Sequence, residues 1–440
     1  MDWSQLLCSR RLGRGVTEAE DPHRSPFEVD LDRIVFSSAF RRLEGKTQVH
    51  GPAGNDYVRN RLTHSLEVSR VGRTLGTMVA ARIAPEPARS SGATMMTPRE
   101  CGHAVAAACA AHDFGTPCFA HQGEAMISDF FHHHPLGRAL SEEVSPRMRA
   151  ELEAFEGNAQ GLRVLTRLQG WRPRGGLNLT MATLAAHAKY PYAADAAPDD
   201  RIKPNKYGYF DSEAGVFAEV AEATGMVPRA PGVWARHPLA FLVEAADDIC
   251  YRIVDIEDAA VLGVITMAEA EDLLTPIIGT VESDYTRIDE MSRKLTYLRS
   301  RAISRLIEDA AEAFVDNFND IRTGRFSHEL IELSPVRPAL ARIHEVSRRR
   351  IYVNKARQDV DLKAGRVINT LLEAYCTAFL EREDARDGRL SNRSRTILRT
   401  FPDIDRIDSQ NREAWLRAVL DYVTGMTDAF ASDRAELMRM

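Results

Sequence analysis

The sequence predicts an all-α protein. Apolar residues recur at three- and four-residue spacings along most of the chain, and strand-like alternation is almost absent. Neither G-x-G-x-x-G nor G-x-x-x-x-G-K-[ST] occurs, so neither a dinucleotide fold nor a kinase-type phosphate loop is supported. With 440 residues, 44% of them hydrophobic, the chain can bury a large core, and its length allows two or three domains. A formal net charge of -6 argues against a dedicated nucleic-acid binder while leaving room for a local cationic pocket. Six scattered cysteines (Cys8, Cys101, Cys109, Cys118, Cys250, Cys376) form no C-x-x-C pair and read as thiols of a reducing cytoplasm. The N-terminus lacks the pattern of a secretory signal, and no segment approaches the about 18 apolar residues of a membrane span.

The first periodic stretch, 29–43, spaces Ile34, Phe36, Ala39, Phe40 and Leu43 as one helix, which Gly45 and the G-P-A-G run at 51–54 interrupt. A second amphipathic helix covers 63–83, and a Pro-, Ser- and Gly-rich surface link follows at 84–98. Residues 100–113 form a small-residue helix that Gly115 and Pro117 end, leaving His112 and Asp113 at its C-terminal end. Further helices are expected at 151–170 (broken or capped near Gly157 and Gly161) and 179–191, then a loop-rich stretch at 192–232. The stretch 237–255 is a strongly apolar helix with two acids in its middle. Helical patterns continue at 267–275, 290–322, 341–379, 390–400 and 411–435.

The chemistry gathers around A-A-C-A-A-H-D-F-G-T-P-C-F-A-H-Q-G-E at 107–124. An imidazole and a carboxylate side by side, His112 and Asp113, can both ligate one divalent metal. Asp247 and Asp248 interrupt an apolar helix, where a buried carboxylate is costly unless it is paired or metal-bound. Their mid-helix position rules against capping, which leaves a salt bridge to an arginine or a place in a metal or active site for at least one of them, and we take the second reading. His64, flanked by Arg61 and Glu67, is unremarkable alone. With the H-D pair and the buried acids it completes two imidazoles and two carboxylates, a set that suits Mn, Mg, Fe, Co, Ni or Zn with room for water. His121 and Glu124 are three apart and share a face if the segment is helical; the carboxylate can fix the imidazole's tautomer for proton transfer. The His132-His133-His134 run cannot converge on one point. Cys109 and Cys118 read as small packing residues.

The order His … His-Asp … Asp resembles the HD-domain phosphohydrolases, and the surrounding segments resemble the bacterial deoxynucleoside triphosphate triphosphohydrolases, or dGTPase-like proteins. The segments that carry it are S-P-F-E-V-D-L-D-R-I-V-F-S-S-A-F-R-R-L-E-G-K-T-Q-V at 25–49, R-N-R-L-T-H-S-L-E-V at 59–68, H-D-F-G-T-P-C-F-A-H-Q-G-E at 112–124 and F-E-G-N-A-Q at 155–160. Y-G-Y-F-D-S-E at 207–213, H-P-L-A-F-L-V-E-A-A-D-D-I-C-Y at 237–251 and Y-V-T-G-M-T-D near 422 continue it over nearly the whole chain. The resemblance implies an HD-domain helical core with additional C-terminal helices: a helical segment at 1–60, the phosphohydrolase domain at 61–255 and a helical region at 256–440 packed on it. It implies His64, His112, Asp113 and Asp248 as ligands of one divalent metal ion, A-D-D-I favouring Asp248 over Asp247. His121 and Glu124 become the catalytic pair. The implied reaction converts a dNTP, dGTP among the candidates, to deoxynucleoside and tripolyphosphate.

Candidate phosphate partners are Arg41, Arg42, Lys46, Arg61, Lys206 and Tyr251, Arg61 foremost because it lies three residues before His64. Asn158 and Gln160 either contact substrate or satisfy a loop, and Tyr209 and Phe210 either stack on a base or pack. Thr116, Cys118 and Ala120 stand where the family motif often has Asn, Pro and Gly. The resemblance also implies a homo-oligomer, dimer or hexamer, with interfacial nucleotide sites and an allosteric nucleotide. Two other readings stay open: an HD-type enzyme for another nucleotide, and a nucleotide sensor or single-stranded-DNA binder.

Overall fold

The computed structural model describes the chain except residues 14–22, 50–56, 84–96, 171–174, 197–205, 354, 386–388 and 440. The fold is all-α with additional C-terminal helices; a two-stranded antiparallel ribbon, Pro228–Ala230 with Val233–Trp234, is the one sheet among the described residues. The link expected at 84–98 falls almost wholly outside those residues.

Three helices form the centre: Arg61–Ile83, Pro98–Ala111 and Pro238–Val261. Asn60 caps the first through Thr63 N–H at 3.0 Å. Thr97 and Glu100 form a reciprocal capping box that starts the second, with Pro98 in its first turn. Small residues let these two helices close up: a Cβ on Gly102 would lie 2.3 Å from Thr77 Oγ1 and 2.9 Å from the Arg73 carbonyl. Arg59 ties the start of the first helix to the end of the third, with Nη2 2.6 Å from Glu257 and Nη1 2.5 Å from Asp258.

Three apolar clusters surround this frame. One joins the central helices to Met267–Ile278 and Met291–Asp316. A second joins Ala120–His133 to the C-terminal helices Lys355–Asp384, Arg412–Thr424 and Asp428–Met438. The third lies under Pro26–Val35, Ser38–Arg42, Gly157–Arg163 and Met181–His187. The helix expected over 29–43 is two, because Ser37 caps a new start by accepting the Phe40 N–H. The loop-rich 192–232 holds a ten-residue helix, Ala214–Ala223. Residue 255, the expected domain boundary, lies inside Pro238–Val261. No described helix is long and apolar enough to cross a membrane.

The third central helix begins on a buried histidine. His237 Nδ1 accepts the Leu239 N–H at 3.2 Å, which leaves Nε2–H to donate to the Leu6 carbonyl at 3.0 Å. Burial pushes this imidazole down to about 4. The unfolded chain takes up that proton near its ordinary value, about 6.5, so stability is lost as pH falls from there through the folded value. The loss is on the order of 3 kcal/mol. In urea denaturation at pH 7 and pH 5, His237→Gln should lose less stability than wild type; equal losses would remove His237 as a cause.

Candidate metal centre and cavity

His64 lies in the first turn of Arg61–Ile83, His112 directly follows Pro98–Ala111, and Asp247 sits mid-way along Pro238–Val261. One donor atom from each falls within 4.8 Å of the other two. His64 Nε2 is 3.1 Å and His112 Nε2 3.5 Å from the same Asp247 oxygen, Oδ1. The His112 ring is oriented from behind: its Nδ1 meets the Cys109 carbonyl at 2.7 Å, which aims Nε2 inward. Asp247 Oδ2 is held by Lys189 Nζ at 3.0 Å.

The expectation that Asp248 supplies the carboxylate is corrected by this geometry. Consecutive helical residues point about 100° apart, and it is Asp247 that faces the histidines. Asp248 lines the cavity nearby, where burial with Glu244 and Glu329 pushes its carboxyl up to about 8. Asp113 stands beside the compact group: its Oδ2 is 3.3 Å from His112 Nε2 and 2.7 Å from Arg61 Nη1. Burial opposes charge on these groups, yet Asp113 and Asp247 outweigh it and carry His112 up to about 10. Arg61 and His112 in turn hold Asp113 well below the usual carboxylate range, and Lys189 with the two histidines does the same for Asp247. A field that favours an imidazolium favours any cation there, and two imidazoles with a carboxylate suit a divalent ion. The residues present therefore fit a single divalent metal.

The same cavity, about 550 Å³, is lined by His121, Glu124, Arg61, Asn158, Lys206 and Tyr251 as well as by the triad. That volume is in the range of small-molecule sites. His121 opens Ala120–His133, its side chain 79% exposed, with Nδ1 3.1 Å from Glu124 Oε2. Burial would raise the Glu124 carboxyl, but His121, Lys206 and Arg61 pull it below its ordinary value. It is thus ionised at neutral pH and accepts from Nδ1–H, leaving Nε2 free. Lys206 Nζ is 2.7 Å from Glu156 and 3.7 Å from Glu124.

Four expected phosphate or substrate partners are not on the cavity wall. Lys46 is buried, donating from Nζ to the Thr116 carbonyl at 2.5 Å and the Thr424 carbonyl at 2.8 Å. Arg41 donates to the Phe36 carbonyl, Arg42 to Ser38 Oγ and Gln160 to Asp421. Tyr209 and Phe210 are fully buried packing residues. Sequence reasoning missed Lys189, whose signal is a lysine closing an apolar helix. It also missed Gln48, whose Oε1 is buried with no hydrogen-bond partner among the described residues. Asp255 and Tyr352 were missed as well: Tyr352 Oη donates to Asp255 Oδ2 at 2.8 Å on the cavity wall, and burial pushes Asp255 up to about 7. Ala120, where the family motif has glycine, carries φ 61°.

Two histidines and an aspartate carried by three helices and the turn after one of them, with Asp113 beside them, define an HD-type phosphohydrolase with a site for one divalent ion. Comparison with known proteins agrees. The family model of the phosphohydrolase-associated domain matches residues 333–436. A deoxyguanosinetriphosphate triphosphohydrolase-like protein of Pseudomonas aeruginosa is 38% identical over 446 residues, covering 100% of this chain and 98% of the relative. One from Synechocystis is 38% identical over 440 residues, covering 98% of each. The deoxyguanosinetriphosphate triphosphohydrolase of Klebsiella pneumoniae is 29% identical over 478 residues, covering 92% of each. The chain belongs to the deoxyguanosinetriphosphate triphosphohydrolase-like family of HD-domain proteins.

Proposed function

We propose that the chain hydrolyses deoxynucleoside triphosphates, dGTP among them, to deoxynucleoside and tripolyphosphate. One observation carries the reading: the metal-fitting triad and the His121–Glu124 pair open onto one cavity that also holds three cationic side chains, Arg61, Lys189 and Lys206. His64, His112 and Asp247 would hold the ion, with Asp113 beside them. A divalent metal there supplies a Lewis acid for a phosphoryl oxygen and a more acidic water.

The remaining work falls to side chains. Arg61, Lys189 and Lys206 meet charge on the phosphate chain. Water adds to the α-phosphorus and the bond from that phosphorus to the deoxyribose 5′-oxygen breaks. That oxygen is a poor leaving group as an alkoxide; we assign His121, acting as the imidazolium, to deliver it the Nε2 proton while ionised Glu124 steadies Nδ1–H, the proton given up by the attacking water restoring the imidazolium through solvent. Eight residues beyond Asp247, about 12 Å along the helix, the Asp255–Tyr352 hydrogen bond offers polar groups to the sugar or base, as does the Gln48 amide.

Each of the four dNTPs, alone and mixed, incubated with metal-supplied protein should yield tripolyphosphate and deoxynucleoside in equal amounts. Release of pyrophosphate or single phosphate would place the attack elsewhere and sink the proposal.

A further inference from the structure

The turn that launches the His121 helix is folded against backbone preference. Phe119 and Ala120 carry φ 62° and 61°, two consecutive non-glycine residues in the left-handed region. Gly123 completes the fold-back: a Cβ there would lie 2.1 Å from the Cys118 carbonyl. Such a conformation persists only where its surroundings over-determine it.

The surroundings come from the far end of the chain. Asp428, the first residue of the last helix and 7% exposed, accepts the Phe119 N–H on Oδ1 at 2.8 Å. Its Oδ2 accepts Thr47 N–H at 3.0 Å and Thr47 Oγ1–H at 2.6 Å. Lys46 fastens the other side of the same turn, joining the Thr116 and Thr424 carbonyls. Both ends of the segment between Asp113 and His121 are therefore tied to the junction of the last two helices, as is the loop that brings Gln48 to the cavity. None of the metal triad takes part.

We propose that Asp428, supported by Lys46, is a positioning residue that holds the Phe119–Ala120 turn left-handed and so sets where His121 stands. The phosphohydrolase-associated segment is then a working part of the active site. The proposal rests on the assignment of His121 to proton transfer, and its test separates the two.

Asp428→Ala should lower kcat by at least about ten-fold, with bound metal within about two-fold of wild type; a rise in KM reports the Thr47–Gln48 loop, which the same carboxylate holds. Glycine takes up the left-handed region freely, so Ala120→Gly added to Asp428→Ala should recover several-fold of the lost kcat. In a His121→Ala background, Asp428→Ala should cost no further kcat. Amide exchange over 116–124 should quicken in Asp428→Ala while that over 98–111 stays unchanged. Should the alanine variant not fold, Asp428→Asn, which replaces the charged acceptor of Phe119 N–H by a weaker neutral one and loses that for Thr47, should show the same pattern at smaller amplitude. Wild-type kcat with unchanged exchange would overturn the clamp. So would a loss that persists in the His121→Ala background and that Ala120→Gly does not relieve, which is the behaviour of a fold anchor alone. An inactive wild type counts against the proposed reaction, and the exchange result still decides the clamp.

Discussion

Asp247→Ala is expected to leave the protein without bound divalent metal and without hydrolytic activity, while Asp248→Ala keeps its metal. Asp247 Oδ1 is the oxygen that both imidazoles face, at 3.1 and 3.5 Å. Removing it leaves two neutral donors with no carboxylate in the compact group, and Lys189, freed of its partner, then repels a cation. Lys189→Met should weaken metal binding less, by about 10- to 100-fold, as loss of a group that orients a ligand does. Metal analysis of dialysed protein decides the matter. Normal metal content in Asp247→Ala, or its loss in Asp248→Ala alone, would move the ligand to the neighbouring residue.

His121→Ala should lower kcat by about 10²- to 10⁴-fold, the usual worth of a proton-transfer group, with metal content unchanged. Glu124→Gln should cost less, because an amide oxygen still accepts from Nδ1–H while the charge that stabilises an imidazolium is gone. The Glu124 carboxyl lies below its ordinary value, so this contribution stays constant through neutral pH and fades only in acid, as the carboxylate takes a proton. Steady-state kinetics with parallel metal analysis measures both effects. Full activity in His121→Ala would remove it from the chemistry.

The frame was readable because its signals are local. Helical periodicity, capping residues and the Gly-Pro punctuation after the His-Asp step depend on near neighbours, and His64, His112 and an aspartate pair in an apolar helix announce a site. The choice between Asp247 and Asp248 depends on helix rotation, which packing sets. One sequence signal was present all the same: Tyr251 and Asp255 lie four and eight residues after Asp247 and so share its face, and all three line the cavity. Lys46 misled because its acceptors are backbone carbonyls 70 and 378 residues away. A lysine bonded only to distant carbonyls looks, in one dimension, like any other cation. The Asp428 contact to Phe119 spans 309 residues and is equally silent.

Above all, we propose that this cavity directs water to the α-phosphorus of a nucleoside triphosphate. The most direct measurement is hydrolysis of dGTP in ¹⁸O-labelled water, followed by mass spectrometry of both products. One labelled oxygen should appear in tripolyphosphate and none in deoxyguanosine. Label in deoxyguanosine, or in released phosphate or pyrophosphate, would contradict the account.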